Sequence, residues 1–359
     1  MEHLSTIAVL PFFGMPGYVW VGFITLVLLL LLLDLGLFHG SPHEIGVRES
    51  LGMSAFFLSL GLGFSVVVGF VYYNQDPAFI IDPHLAIGMQ PFERAWHAAE
   101  LYLTGYLIEQ SLSLDNIFIM SLIFSYFAIP RIYQHAVLFW GVLGVIVMRG
   151  AMIMAGAALI VHLHWVIYVF AGLLVVTGIR MLWAEDDETD IGSNPGAKLI
   201  KRALRVTDEL HGDKFVIKAP HPVTGKAVRW ATRLFLCLAT IEIADVVFAI
   251  DSVPAIFSIT QEPFIVYSSN IFAILGLRSL YFALSAVVHR FHYLKYSLAL
   301  VLVLIGGKIL AEPVVGRLPT EASLIATVAL LAGGVLFSLW QTRRDGPVAA
   351  AAKSAETSS

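Results

Sequence analysis

The first apolar run of the chain, residues 17–38, reads GYVWVGFITLVLLLLLLDLGLF and contains one charged residue, Asp34. It is long enough for a helix to cross the hydrocarbon core of a bilayer, which needs about 20 apolar residues. The rest of the chain has the same character, because 58% of its 359 residues are hydrophobic and 13% are charged. Apolar runs of this length are too long for barrel strands, so the spanning elements are predicted to be helices.

Hydropathy along the chain predicts about nine such helices, which makes this an all-α polytopic membrane protein. The predicted spans cover residues 17–38, 48–73, 97–127, 134–157, 163–183, 231–258, 264–289, 294–312 and 320–342. Most lysine and arginine residues fall in the connections on one side of these spans. The positive-inside rule therefore places the N-terminus outside and the C-terminus in the cytoplasm.

The spans define one transmembrane domain, residues 17–342, between two polar ends. Residues 1–16 form a predicted external segment, and the Ala- and Ser-rich tail 343–359 is predicted to be a disordered cytoplasmic segment. The longest polar connection, residues 184–230, is a predicted cytoplasmic loop that contains a small hairpin. A net charge of -4 with dispersed basic residues argues against nucleic acid as a partner. The single cysteine, Cys237, offers no disulfide framework and no cysteine-based zinc site.

Two stretches of similar pattern indicate an internal repeat. Residues 109–116, EQSLSLDN, can be laid over residues 245–252, DVVFAIDS, because each has an acid, an Asp six residues later and then a small polar residue. Each stretch is followed by an apolar span with one embedded arginine, Arg149 in the first copy and Arg278 in the second. The third and sixth spans run in opposite directions, so spans 3–5 and 6–8 are predicted to form an inverted repeat. The two copies cover residues 97–183 and 231–312.

Acidic side chains inside a membrane need compensation, because an ionised Asp at the bilayer centre costs about 2.5–3.5 kcal/mol on insertion scales. Bound cations, protons or the two arginines can provide it. Two acids six residues apart point about 240° apart on a regular helix, so discontinuous helices are predicted at the site. Pro254 favours such a break in the second copy. Side-chain oxygens and freed carbonyls would make an all-oxygen site suited to Mg²⁺, Ca²⁺ or Mn²⁺.

The candidate metal ligands are the acidic and small polar residues of the two copies. They are Glu109, Asp115, Asn116, Asp245, Asp251 and Ser252. Charged residues in or near the spans are assigned a supporting role. They are Glu242, Arg149, Arg278, Lys308 and Asp34.

Structural alternatives stand beside these assignments. Glu109 and Asp115 could form a purely structural ion pair with Arg149, since charges inside membranes commonly pair with one another. For Asp34, near the end of the first span, an interfacial position is the favoured interpretation. Lys308 precedes Glu312 by one helical turn, so a structural Lys-Glu pair is available.

Three blocks of the sequence resemble the TerC/Alx family of integral membrane proteins. They are residues 98–116, AAELYLTGYLIEQSLSLDN, residues 242–256, EIADVVFAIDSVPAI, and residues 268–278, SSNIFAILGLR. The resemblance extends over about residues 17–342. It implies membership of a wider, LysE-like superfamily of exporters, a link to tellurium resistance, and a location in the bacterial inner membrane. For several members it also implies export of Mn²⁺ from the cytoplasm. The resemblance places the positions of the family's acidic motifs, including their small polar residues, on Glu109, Asp115, Asn116, Glu242, Asp245, Asp251 and Ser252.

The first functional hypothesis is therefore an exporter of a divalent cation, with Mn²⁺ as the expected cargo, protons as a candidate counter-ion and no permanent cofactor. Ca²⁺ and Mg²⁺ stay open as cargo because they accept the same oxygen ligands. The alternatives are a membrane scaffold in a metal- or tellurite-stress assembly, with residues 184–230 as its docking surface, and an intramembrane aspartate hydrolase. The acids lack the Gly-rich context expected of such a hydrolase, so an enzyme is not expected. A homo-oligomer and accessory membrane proteins stay open as partners.

Overall fold

The computed structural model describes most of the predicted membrane domain. The described residues are 11–38, 47–86, 88–163, 165–183, 206–207, 211–220, 227–284, 294–315, 322, 324–334, 336–338 and 340. At several of these positions, including 115 and 251, only the backbone is described. The predicted tail 343–359, most of the loop 184–230 and residues 1–10 of the predicted external segment lie outside the described residues.

Helices make up nearly all of the described chain. They are α1 (Gly17–Phe38), α2 (Val47–Asn74), α3 (Pro83–Ala86), α4 (Pro91–Tyr126), α5 (Arg131–His162), α6 (Val166–Trp183), α7 (Arg233–Phe257), α8 (Pro263–Leu284) and α9 (Leu294–Val315). A short antiparallel pair of strands, β1 (Pro11–Phe12) and β2 (Met15–Pro16), precedes α1. A second pair, β3 (Val216–Pro220) and β4 (Ala227–Ala231), confirms the hairpin predicted in the long loop.

Among the described residues, five helices are long and apolar enough to cross a membrane. Their apolar stretches are Gly17–Asp34, Arg48–Asn74, Arg131–Ile160, Pro263–Ala283 and Tyr296–Val315. Two shorter apolar helices, Val166–Leu182 and Leu324–Ser338, accompany them. The helices with the acidic motifs, α4 and α7, are long and pack among these elements. The structure thus supports an all-α polytopic membrane protein, and the count of nine spans stays a prediction.

The bundle is organised around α8. In its apolar stretch 94% of the residues are buried, against 28% in the stretch of α1. Helix α8 packs against α2, α4 and α5, and α7 packs against α4, α5 and α6. Large apolar side chains cover the outside of the bundle, such as Val66 at 73% and Phe70 at 70% exposure. An apolar exterior around a helical bundle is what lipid as a solvent requires.

The predicted helix breaks are wrong. Helix α4 runs through Glu109 as 36 continuous residues, and α7 runs through Asp245 as 25. Pro254 lies inside α7 but in its last turn, because the helix ends at Phe257. A proline there removes only one hydrogen bond close to an end that leaves carbonyls unpaired in any case, so the helix need not unwind.

A buried polar cluster joins the last turn of α2 to the segment that precedes α8, and Glu262 itself lies outside the apolar stretches. The Tyr72 hydroxyl donates to Glu262 Oε2 over 2.9 Å, and the Asp82 N–H donates to Glu262 Oε1 over 2.6 Å. The Thr260 hydroxyl donates to Asp82 Oδ2 over 3.0 Å. Burial raises the pKa of Glu262 to about 7, although the two hydrogen bonds to its carboxylate oppose the change.

This raised pKa predicts that stability falls as the pH rises. The folded protein keeps the Glu262 proton up to about pH 7, whereas the unfolded chain loses it near its ordinary pKa of about 4.3. Between these values the folded state binds more protons, so its free energy of unfolding decreases with pH and levels off above the folded pKa. Glu262→Gln should flatten this slope in thermal unfolding measured from pH 5 to 8. The same slope in Glu262→Gln and wild type would contradict the assignment.

Helices α6 and α9 approach each other through glycine in a reciprocal way. A Cβ on Gly178 of α6 would lie 2.7 Å from the carbonyl oxygen of Ala299 in α9. A Cβ on Gly306 of α9 would lie 2.5 Å from the carbonyl oxygen of Ala171 in α6. Both obstacles are backbone atoms, so no side chain can move aside. The two helices therefore depend on glycine at these two positions for their close contact.

Alanine at either of these glycines should destabilise the protein. Gly178→Ala and Gly306→Ala overpack the contact, which typically costs about 1–3 kcal/mol. Gly172→Ala and Gly307→Ala are matched controls on the same two helices, because their added Cβ would meet nothing within 4 Å. The controls should be neutral or slightly stabilising, since alanine favours a helix. Thermal unfolding in detergent distinguishes the pairs, and equal melting temperatures for all four variants would refute the contact.

Candidate cation site

Arg149 lies at the junction of four helices near the middle of the bundle. From α5, its Nη1 donates to Glu109 Oε1 on α4, to Asn270 Oδ1 on α8 and, over 3.1 Å, to Ser252 Oγ on α7. All four side chains are buried, and Glu109 has no exposed surface. The arrangement is a single cationic nitrogen in contact with three oxygens from three other helices.

Local sequence explains why the oxygens face this point. The amide nitrogen of Asn270 donates to the carbonyl of Val266 one turn earlier over 3.0 Å, which directs its oxygen toward Arg149. Gly105 brings α4 close to α8, since a Cβ there would lie 3.1 Å from the Ser269 hydroxyl. The small residues of both helices thus permit a close approach at the level of the site.

A row of acids on α7 extends from the site. Glu242, Asp245 and Ser252 lie on one face of the helix, because their spacings of three and seven residues are close to whole turns. Asp245 interacts electrostatically with both Arg149 and Glu109, and Glu242 interacts with Asp245. Glu242 lies directly over Gly144 of α5, where a Cβ would be 2.6 Å from its carboxyl carbon. Glycine on α5 therefore makes the space for this carboxylate.

Several oxygens of this region have unused hydrogen-bonding capacity. Within the part of the chain that the structure describes, Glu109 Oε2, Glu242 Oε1 and Asp245 Oδ2 are buried and have no hydrogen-bond partner. The hydroxyl of Ser113, one turn after Glu109, is in the same situation. Buried acceptors without donors are costly, and a cation or a proton would satisfy them.

The structure brings together only some of the predicted ligands. Glu109 and Ser252 meet at Arg149 and Asp245 lies near them, whereas Asn116 is buried two turns along α4 from Glu109. The side chains of Asp115 and Asp251 lie outside the described residues. Because both helices are continuous, their backbone positions are about 240° around from Glu109 and Asp245. Among the described residues no three His, Cys, Asp or Glu side chains form a group that could hold a metal.

The two arginines of the predicted repeat have different partners. Arg149 pairs with Glu109, which is the structural alternative that the sequence left open. Arg278 of α8 pairs with Asp34 of α1 and lies 5.8 Å from the Phe139 ring centre. Asp34 is therefore a buried ion-pair partner of an arginine that is far away in sequence, and its position at the membrane interface stays a prediction.

Lys308 and Asn270 are two further polar residues inside the helices. Lys308 interacts electrostatically with Glu312, as its spacing predicts, and is half-buried in α9. Asn270 is a site residue that was not predicted from the sequence. Its signal is the run of three polar residues, Ser268 to Asn270, inside an otherwise apolar helix. In a membrane such a run commonly marks hydrogen bonding between helices.

Fold and site together define a polytopic helical membrane protein with a buried charged centre. Comparison with known proteins gives its family: residues 94–346 match the sequence model of the Integral membrane protein TerC family, to which this chain belongs. This confirms the resemblance in the motif blocks.

Similar proteins match over most of their length. An uncharacterized membrane protein of Myxococcus xanthus is 40% identical over 93% of this chain and 95% of its own length. One of Rickettsia felis is 42% identical over 89% of this chain and 97% of its own. A putative membrane-bound redox modulator, Alx, of Photorhabdus laumondii is 39% identical over 89% and 94%. No solved structure matches.

The ion pair at the centre predicts strong energetic coupling. Glu109→Gln and Arg149→Gln each leave a buried charge without its partner, which costs about 3–5 kcal/mol. The double variant should lose clearly less than the sum of the two single losses, as measured by unfolding in detergent.

The control cycle combines Glu109→Gln with Arg278→Gln. Arg278 has Asp34 as its partner, so these two losses should add within about 0.5 kcal/mol. Additive losses for Glu109 and Arg149 as well would contradict the coupling.

Proposed function

We propose that this TerC-family protein is a transporter that exports a divalent cation, with Mn²⁺ as the cargo, through the buried centre around Glu109. The observation that carries the proposal is the set of buried carboxylate oxygens on α4 and α7 that lack hydrogen-bond partners in the described chain. Carboxylate, amide and hydroxyl oxygens are the donors that Mn²⁺, Mg²⁺ and Ca²⁺ prefer. The centre contains all three kinds.

The proposed cargo ligands combine described and undescribed side chains. Glu109, Asp245 and Ser252 lie near one another, and Asn116 shares the face of α4 that carries Glu109. Asp115 and Asp251 are assigned on the sequence repeat. Asn270 is added to the set because its oxygen faces the same point as Glu109. No residue in this proposal holds a permanent cofactor.

An inverted repeat offers a physical route for alternating access. Helices α4, α5 and α6 correspond to α7, α8 and α9, and an odd number of spans per copy inverts the second copy. The packing supports this relation, because α4 packs on α8 where α7 packs on α5. The reciprocal contact of α6 and α9 supports it further: Gly178 meets Ala299 where Gly306 meets Ala171, and both pairs are related by the same shift of 128 positions.

Charge supports both the orientation of the chain in the membrane and the proposed counter-ion. The lysines and arginines of the connections favour an outside N-terminus and a cytoplasmic C-terminus in the inner membrane. Protons are the proposed counter-ion, because a carboxylate that loses its metal in a low-dielectric site gains affinity for a proton. A homo-oligomer and accessory membrane proteins stay compatible with this mechanism.

A second candidate function comes from the relatives. Those called putative membrane-bound redox modulators are 39% identical to this chain in Photorhabdus laumondii and 38% in Salmonella typhi. The sequence has one cysteine, Cys237, which is buried in α7, so an intramolecular dithiol is not available to it. For this chain we therefore propose cation transport as the primary activity.

The transport proposal predicts the loss of Mn²⁺ flux on neutralising the acids. In proteoliposomes with a Mn²⁺ gradient, Asp245→Asn should slow flux by about tenfold or more, because it removes a carboxylate from the cargo site around Glu109. Asp115→Asn and Asp251→Asn should slow flux less, because on continuous helices these acids lie about 240° around from Glu109 and Asp245. Flux is followed with a trapped metal-sensitive dye, with and without a pH gradient.

The matched control for these variants is Asp213→Asn, which neutralises an exposed acid in the long loop. It should transport at the wild-type rate. Wild-type flux in Asp245→Asn would refute the proposal, and a rate independent of the pH gradient would remove the proton step.

A further inference from the structure

The side chain of Arg149 occupies the position at which a cargo cation would be expected. Its Nη1 is in contact with Glu109 Oε1, Ser252 Oγ and Asn270 Oδ1, which belong to three different helices. Convergence of several oxygens on one cationic centre is the arrangement that a hard metal ion also requires. The oxygens cannot surround this nitrogen and a metal ion at the same time.

The hydrogen-bond partners of Arg149 differ from those of Arg94, a buried arginine with a structural role. Arg94 is also buried, and it donates from Nε to the Tyr72 carbonyl over 2.8 Å and from Nη2 to the Gln75 carbonyl over 2.9 Å. These backbone acceptors fix it to the end of α2. Arg149 instead contacts side-chain oxygens, and its buried Nε has no hydrogen-bond partner among the described residues. Among the described residues, the hydrogen bonds of Arg149 all go to side chains, and a side chain held in this way can leave without unfolding a helix.

We propose that Arg149 is a tethered cation that occupies the cargo position in the metal-free carrier and is displaced from Glu109 when a divalent cation binds. This inference rests on the proposed function, because it assigns the competitor for the same site. The positive charge of Arg149 compensates Glu109 when no metal is present, so the empty carrier avoids an unpaired carboxylate in the membrane.

The displaced guanidinium has acceptors nearby. Asp245 interacts electrostatically with Arg149, and its Oδ2 has no hydrogen-bond partner in the described part of the chain. Glu242 lies one turn farther along the same face of α7 with Oε1 in the same condition. Arg149 can therefore exchange one carboxylate for another and stay compensated while cargo occupies Glu109. Asp245 then has two roles, as a cargo ligand and as an acceptor for the arginine.

Removing the tethered cation should tighten metal binding. Mn²⁺ binding to the purified full-length protein in detergent is measured by equilibrium dialysis and by the EPR signal of free Mn²⁺. If Arg149 occupies the site in about 90–99% of metal-free molecules, Arg149→Gln should lower the apparent Kd about tenfold to a hundredfold. Arg149→Lys keeps the charge but has fewer donors, so its Kd should fall between those of Arg149→Gln and wild type. This second variant retains a cationic partner for Glu109, which protects folding.

The matched control is Arg278→Gln, which removes the other buried arginine of the repeat. Arg278 pairs with Asp34, and among the described side chains it pairs with none of the site acids, so its loss should leave the Kd for Mn²⁺ within about threefold of wild type. An equal gain in Arg278→Gln would show a general charge effect and overturn the inference. Unchanged Kd values in both Arg149 variants would overturn it as well.

The binding measurements distinguish failure of the tethered-cation proposal from failure of the proposed function. Mn²⁺ binding by the wild type that does not respond to Arg149 overturns the tethered cation alone. If neither the wild type nor any Arg149 variant binds Mn²⁺, Ca²⁺ or Mg²⁺, the cargo site and the proposed function fail together.

Discussion

The interaction of Arg149 with Glu109 is the constraint on which the centre of the bundle depends. In a membrane, the hydrophobic effect does little to fix how two helices are aligned, because lipid tails are as apolar as leucine. A buried charge does fix the alignment, since leaving it without its partner costs several kcal/mol. By meeting Glu109, Ser252 and Asn270 at once, Arg149 fixes the level at which α4, α5, α7 and α8 face one another.

Small residues let the helices come close enough for these contacts. Glu242 rests on Gly144, Ser269 approaches Gly105, and α6 and α9 touch through Gly178 and Gly306. A Cβ would collide with a backbone carbonyl at Gly178 and Gly306, would displace the Glu242 carboxylate at Gly144, and would lie 3.1 Å from the Ser269 hydroxyl at Gly105. The bundle therefore combines two devices that suit a lipid environment: close backbone approach for packing, and polar pairs for specificity. Its large apolar side chains face outward as well as inward.

Much of this arrangement is predictable from the sequence. Apolar runs with isolated acids gave the class of protein and most helix positions, and the motif blocks gave the family. Local patterns also identified the hairpin of β3 and β4 and the pair of Lys308 with Glu312, because both depend on residues close in the chain.

Long-range features escaped prediction. The partnership of Arg278 with Asp34 joins residues that are more than two hundred positions apart, and no local pattern encodes it. The expected helix breaks failed because the effect of Pro254 depends on where α7 ends, which tertiary packing decides. Asn270 lies in one of the motif blocks, but its contact with Arg149 depends on the packing of α8 beside α5.

The unbroken course of α4 has a mechanical consequence. Glu109 lies close to the midpoint of its 36 residues, so each end of the helix is about 26 Å from the carboxylate at a rise of about 1.5 Å per residue. A rigid rod pivoting there by about 10° would carry its two ends roughly 4–5 Å in opposite directions while the acid itself hardly moved. In the proposed transporter, such a rotation would narrow the bundle on one side of the charged centre while widening it on the other.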